Sequence, residues 1–201
     1  MSDARIPEVY IVESLDRESE RAGHLEGKAL SRILKMLGKR PRYAYIRTAA
    51  ELTEIAKEFD ESQYRYLHLS CHGNDQEFIL TYDVVSFGAF GATFRPIMAE
   101  RRLFLSACSV GQRALARELF RTHVSSPYSI TGPSSDIDFS DAAVTWASLY
   151  NLLFRGGAAT IGGEHLRANL NKLCELNGVQ FAYFGRTGRK PYFRRYGLPS
   201  S

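Results

Sequence analysis

From Val9 to Phe154, short β-branched and aromatic runs alternate with amphipathic stretches of helical period. This alternation constrains the chain to an α/β fold: a mostly parallel sheet with helices on both faces, since parallel strands need long crossovers. Val9-Tyr10-Ile11-Val12 reads as the first strand. Residues 17–37 read as one helix, with Leu25, Ala29, Ile33 and Leu37 at four-residue spacing and Gly38 ending it. Tyr43-Ala44-Tyr45-Ile46 is a second strand. Thr48 then caps a helix bearing Leu52, Ile55, Ala56 and Phe59, and Glu51 completes a capping box. Residues 65–71 read as a third strand, 74–91 as a hairpin or loop beside the sheet, and 94–100 as a short helix. Leu103-Phe104-Leu105 has the unbroken apolarity of a strand buried on both faces. A helix over 114–122, a fifth strand over 128–131 and a helix over 141–154 follow. The last carries Ala143, Trp146, Tyr150 and Leu153 on one side and is stopped by Gly156-Gly157. Beyond it, 164–176 reads as a helix and 180–184 and 192–196 as strands. No repeat, linker or low-complexity segment divides the chain, so residues 1–201 read as one domain.

The formal charge is +4, and its placement is uneven. Arg186, Arg189, Lys190, Arg194 and Arg195 stand in the basic, aromatic tail 181–201, which holds no acid. Cys71, Cys108 and Cys174 are too few and too scattered for a disulfide framework, and no Cys-x-x-Cys pair marks a zinc site. No signal peptide is visible and no apolar run reaches the ~18 residues of a membrane helix. The expectation is a cytoplasmic protein with free thiols, no membrane association and no cofactor.

Two strands end in a reactive side chain followed by a small residue: Leu67-His68-Leu69-Ser70-Cys71-His72-Gly73 and Leu103-Phe104-Leu105-Ser106-Ala107-Cys108. A lone strand-end Cys is usually a small buried hydrophobe, and a lone His-Gly is usually a turn. Together, on adjacent parallel strands, His72 and Cys108 emerge at one sheet edge, where an imidazole can take the proton of a thiol. Gly73 allows close backbone approach, and its N–H with that of Cys108 forms a candidate oxyanion hole. His68 and His72 share the spacing of a helical metal pair, but on a strand they stand ~13 Å apart. His68 is therefore expected to be a hydrogen-bonded core histidine, Cys71 to pack on the opposite face, and no metal site to form.

These two segments resemble the His-Gly and Ser-Ala-Cys pair of CHAT-domain peptidases, in the caspase, separase and gingipain clan. Ile130-Thr131-Gly132, Ala142-Ala143 and the stretch from Leu149 to Gly157 resemble the same family, so the resemblance covers roughly residues 66–157. It implies a caspase-like three-layer sandwich and a cysteine endopeptidase working through a thioester acyl-enzyme. Cys108 would be the nucleophile, His72 the base and later the acid, and Gly73 with Cys108 the oxyanion hole. It also implies a protein substrate and a regulatory partner protein, in bacteria and sometimes in defence systems.

The gap from His72 to Cys108 is shorter than the ~50 residues of caspases proper, so the insert between these strands must be small. The family's aromatic-proline segment is replaced here by Pro133-Ser134-Ser135-Asp136-Ile137-Asp138. Asp136, Asp138 and Asp141 follow the fifth strand, and no basic residue occurs from Val124 to Phe154. Asp141 or Ser140 is expected to cap the helix. Asp136 and Asp138 are left to face substrate and to select Arg or Lys before the scissile bond, Asp138 first. Two other functions compete: a catalytically silent caspase-like interaction module, and nucleic-acid binding through the tail. The tail is read chiefly as a two-stranded ribbon at a sheet edge, with its arginines outward.

Overall fold

The computed structural model describes residues 5–155 and 160–196. In chain order the elements are β1 (Ile6–Glu13), α1 (Arg17–Ala22), α2 (Glu26–Met36), β2 (Arg42–Tyr45), α3 (Ala49–Ser62) and β3 (Tyr64–Ser70). Then come β4 (His72–Gly73), β5 (Glu77–Ile79), β6 (Val84–Ser86), α4 (Phe87–Phe94), a 3-10 turn at Arg95–Ile97 and β7 (Arg102–Ser106). The remainder is α5 (Arg113–Leu119), β8 (Ser129–Pro133), α6 (Phe139–Phe154), α7 (Gly163–Asn177), β9 (Phe181–Arg186) and β10 (Phe193–Tyr196). A seven-stranded sheet runs β10-β9-β8-β7-β3-β1-β2, and β4-β5-β6 form a separate small sheet. The five strands from β2 to β8 are parallel, whereas β9 and β10 are antiparallel to their neighbours.

The period of two along each strand sorts the core into two faces. Tyr10, Val12, Leu67, Leu69, Leu103 and Leu105 pack with residues of α3, α4 and α5. Val9, Ile11, Tyr66 and Phe104 pack with residues of α2, α6 and α7. The fold is thus an α/β sandwich of three layers. Trp146, Tyr150 and Phe104 are fully buried. At about 1.5–3 kcal/mol per buried large apolar side chain, such residues dominate the stabilisation of the α6 face.

Several elements differ from expectation. The helix expected over 17–37 is two helices, because Gly23 adopts φ +79° and closes α1 in the left-handed conformation. The restart at α2 lacks a side-chain cap from its own N-cap, Leu25; instead the Glu13 carboxylate accepts from the N–H groups of Gly27 (2.7 Å) and Lys28 (3.2 Å). The segment 74–91 holds the expected hairpin, as the antiparallel pair β5–β6, and in addition most of α4, which was not expected. Ser86 caps α4, and Phe87, Phe90 and Phe94 are buried at helical spacing. Gly91 hides this helix from a propensity reading, yet a Cβ there would come within 2.7 Å of Glu118 Cβ, so close α4–α5 packing requires glycine. The expected helix over 94–100 shrinks to the 3-10 turn.

The Thr48–Glu51 capping box is present, and Gly38 follows α2 with φ +77°. The expected stop at Gly156-Gly157 lies outside the described residues; α6 reaches Phe154. The tail forms the ribbon β9–β10 along the β8 edge, with Arg194 and Arg195 exposed. No helix of the described residues is long and apolar enough to cross a membrane.

Candidate active site

β3 and β7 lie side by side in parallel: Tyr66 faces Arg102, His68 faces Phe104 and Ser70 faces Ser106. Two residues further along each chain come His72 and Cys108, at the carboxyl ends where parallel sheets place their sites. Beyond Ser106 the chains part. His72 turns into β4 and pairs with Ile79, while the loop after Cys108 is bound to the end of β8 and the loop beyond it by Gly111 N–H to Pro133 O (2.6 Å) and Ser109 N–H to Ser135 O (3.0 Å). His72 and Cys108 both line one narrow void of about 30 Å³, with Glu26, Ser106 and Phe139 around it. That is room for a water molecule or two.

His72 is held from behind. Its Nε2 lies 2.6 Å from Asp16 Oδ2 and 3.3 Å from Ser19 Oγ, and its ring stands edge-on to Phe139. Asp16 is the N-cap of α1, accepting from Ser19 N–H at 2.7 Å. That bond, with the help of nearby His72, holds its carboxyl below the usual carboxylate range. A carboxylate on Nε2 keeps the proton there and leaves Nδ1 as the nitrogen able to accept one. Asp16 was not singled out from sequence. The available signal was its position three residues past Glu13, which faces Ser70 across β1–β3.

Cys108 is half-buried, and its thiol donates weakly to Ile137 O at 3.5 Å. Its N–H has no hydrogen-bond partner among the described residues. Ser109, immediately after it, sits at φ +55°, a left-handed conformation rarely adopted by a residue with a side chain. Ser109 Oγ donates to Asp136 Oδ1 at 2.9 Å, which anchors this turn. Gly73 is a steric requirement: a Cβ there would meet Val110 at 2.7 Å and Ala107 at 3.2 Å. Since Asn74 N–H donates to Glu77 O (3.1 Å), antiparallel alternation turns the Gly73 N–H away from β5.

Beneath the void lies a buried polar cluster that sequence reasoning missed in part. Glu26 Oε2 accepts from Ser70 Oγ (3.0 Å) and Ser106 Oγ (2.8 Å). Its Oε1 faces His68 Nε2 at 3.9 Å, too far for a direct bond, and both atoms lack partners among the described residues. Burial pushes the Glu26 carboxyl up to about 8 and His68 down to about 3, so both are neutral near pH 7 and form no ion pair. His68 is the hydrogen-bonded core histidine expected, its Nδ1 lying 2.8 Å from Tyr150 OH.

The carboxylates after β8 line a separate cavity of about 550 Å³ that reaches Cys108 and Gly73; Asp136, Asp138 and Asp141 line it and no basic residue does. The N-cap of α6 is Asp138, not Ser140 or Asp141, because the helix begins at Phe139, whose ring packs on His24 and His72. The Asp138 carboxylate makes no capping bond. Cys71 is buried with the α3–α5 face, where burial pushes its thiol up; Cys174 is also buried, on α7, and pushed up to about 11.

No protein-family model and no curated protein matches the chain by sequence. Solved structures do match. The Arg-specific cysteine proteinase gingipain R (RgpB) aligns with TM-score 0.59 and 12% identity over 87% of this chain and 43% of its own. The complex of Porphyromonas gingivalis RgpB pro- and mature domains gives 0.58 and 11%, over 87% and 44%. Caspase-1 from Spodoptera frugiperda gives 0.58 and 14%, over 98% and 89%. The fold is caspase-like. The chain spans under half the length of the gingipain chains and most of the caspase chain, and at such identity the likeness establishes the fold alone.

Proposed function

We propose that residues 1–201 form a single peptidase domain of the CHAT type, a cysteine endopeptidase that cuts proteins after Arg or Lys. The observation that carries this reading is the meeting of His72 and Cys108 in one void at the ends of adjacent parallel strands. Cys108 attacks the scissile carbonyl as its thiolate, and His72 takes the thiol proton and returns it to the leaving amine. The resulting thioester is then hydrolysed by water that His72 activates. The N–H groups of Gly73 and Cys108 receive the oxyanion; the unpartnered Cys108 N–H and the ladder geometry at Gly73 support this role. Asp16 orients His72 and stabilises the imidazolium that forms.

Asp138 and Asp136 select the basic residue. Asp138 keeps its carboxylate free of capping, whereas Asp136 already accepts from Ser109. That gingipain R, of like fold, is Arg-specific supports the same preference here. The narrowness of the void supports a regulatory partner or segment that opens the site on activation, and a gingipain neighbour is itself a complex with its prodomain. Free Cys71, Cys108 and Cys174 fit a reducing cytoplasm.

The test is cleavage of a peptide library varied at the residue before the cut, by wild type, Cys108→Ala and His72→Ala. Cleavage after Arg or Lys that both variants abolish is expected. Equal cleavage by wild type and Cys108→Ala would refute the assignment.

A further inference from the structure

At the other end of β7 from Cys108, where the strand begins at Arg102, a second cavity of about 280 Å³ opens between the first turns of α7 and the β8–β9–β10 ribbon. Three guanidinium groups line it: Arg102, Arg167 and Arg186. Arg102 is only 8% exposed. Its guanidinium donates to Ser129 Oγ (2.7 Å), Ile161 O (3.0 Å) and Tyr183 OH (3.4 Å), all neutral acceptors. Among the described residues, none of the three arginines has a carboxylate within 4.0 Å. Glu164, the one acid lining the cavity, leaves a net positive charge there. A guanidinium this buried is normally compensated by an anion, because a charge removed from water without a counter-charge is costly.

The cavity of about 280 Å³ has room for such an anion, and its wall is closely packed. A Cβ on Gly163 would approach Tyr183 OH to 3.0 Å and the Arg102 nitrogens to 3.8–4.0 Å, and one on Gly185 would reach the Tyr196 and Tyr183 rings at 3.0–3.1 Å. Glycine at both positions lets Tyr183, Tyr196 and the Arg102 guanidinium pack this closely in the cavity wall. Stacking also pre-orients the arginines: Arg186 lies over Tyr128 at 4.8 Å and Arg167 over Tyr196 at 4.1 Å.

We propose that this cavity binds a small phosphate-bearing anion, clamped by Arg102, Arg167 and Arg186. Planar guanidinium forks match the oxygens of a phosphomonoester, and the net charge of the lining complements a dianion. The volume is at the small end for ligand pockets, which favours a compact metabolite. A single-stranded nucleic acid would instead need open aromatic faces for its bases, and here guanidinium groups cover faces of Tyr128 and Tyr196.

The experiment is isothermal titration of the whole chain with inorganic phosphate, pyrophosphate, a nucleoside monophosphate and a short single-stranded oligonucleotide, at fixed ionic strength with chloride as control. The partners are wild type and the double variant Arg167→Gln/Arg186→Gln. Both positions are partly exposed, so the fold should survive, which circular dichroism checks. Saturable one-to-one binding of one of the small phosphates, weakened roughly a hundredfold in the double variant, is expected when two charge-assisted contacts are lost. The different small phosphates identify which form the cavity prefers. No saturable binding of any small phosphate, undiminished binding by a folded double variant, or stronger binding of the oligonucleotide would each overturn the proposal.

Discussion

His72 Nε2 and Asp16 Oδ2 stand 2.6 Å apart, joining the segments that follow two neighbouring parallel strands, β1 and β3. Asp16 is partly exposed, so its value lies in orientation more than in Coulomb energy. Asp16→Asn is expected to lower kcat roughly 10- to 100-fold with KM little changed, the scale of one charge-assisted hydrogen bond. Steady-state kinetics on an Arg-containing peptide provide the check. An unchanged kcat would show that the contact does not serve the reaction.

The acidic cavity yields a charge-selective outcome. Asp138→Asn should lower kcat/KM for a peptide with Arg before the cut by roughly 10- to 100-fold, as when a charged partner is removed, and leave a neutral residue there little affected. A loss of equal size on both peptides would assign Asp138 to the scaffold and not to selection.

Glu26 gives a pH signature in stability. Its folded-state value of about 8 stands above the ordinary 4.5, so between those values the folded chain holds a proton that the unfolded chain has released. Stability from this group is therefore full below about pH 4.5 and lost as pH rises towards 8, by at most a few kcal/mol at ~1.4 kcal/mol per pKa unit. Glu13, also raised by burial, adds a slope of the same sign. His68, lowered to about 3, contributes stability that is full above its ordinary 6.5 and lost as pH falls. Glu26→Gln should thus flatten the fall in melting temperature between about pH 5 and 8 while retaining the acid-side loss. Superimposable melting profiles for variant and wild type would contradict the assignment.

Much of this was legible in the sequence because it follows from short-range periodicity. The strands flanking His72 and Cys108 announce themselves as apolar runs, and Thr48 and Gly38 mark helix ends by local chemistry. Asp16 and Glu26 were not legible. Each reaches the site only because β1 neighbours β3 and because Gly23 breaks the first helix, so that Glu26 opens α2 instead of lying within a longer helix. The helix α4 was missed for a related reason: Gly91 weakens its local signal for the sake of a tertiary contact with Glu118.

Cys71 supplies a control. Fully buried, it packs with the α3–α5 layer and also borders the void that His72 and Cys108 share, so it is the thiol most in need of exclusion. Cys71→Ala should keep cleavage within about twofold while costing on the order of 1 kcal/mol of stability, the common scale of a buried truncation. Denaturant melts and kinetics on the same preparation separate the two effects.

The most direct measurement is the intact and peptide-level mass of the chain after treatment with a peptidyl acyloxymethyl ketone ending in Arg. The account predicts one adduct, on Cys108, formed by wild type and suppressed in His72→Ala, with Cys71 and Cys174 unmodified. An adduct on Cys71, or equal labelling of Cys108 with and without His72, would contradict it.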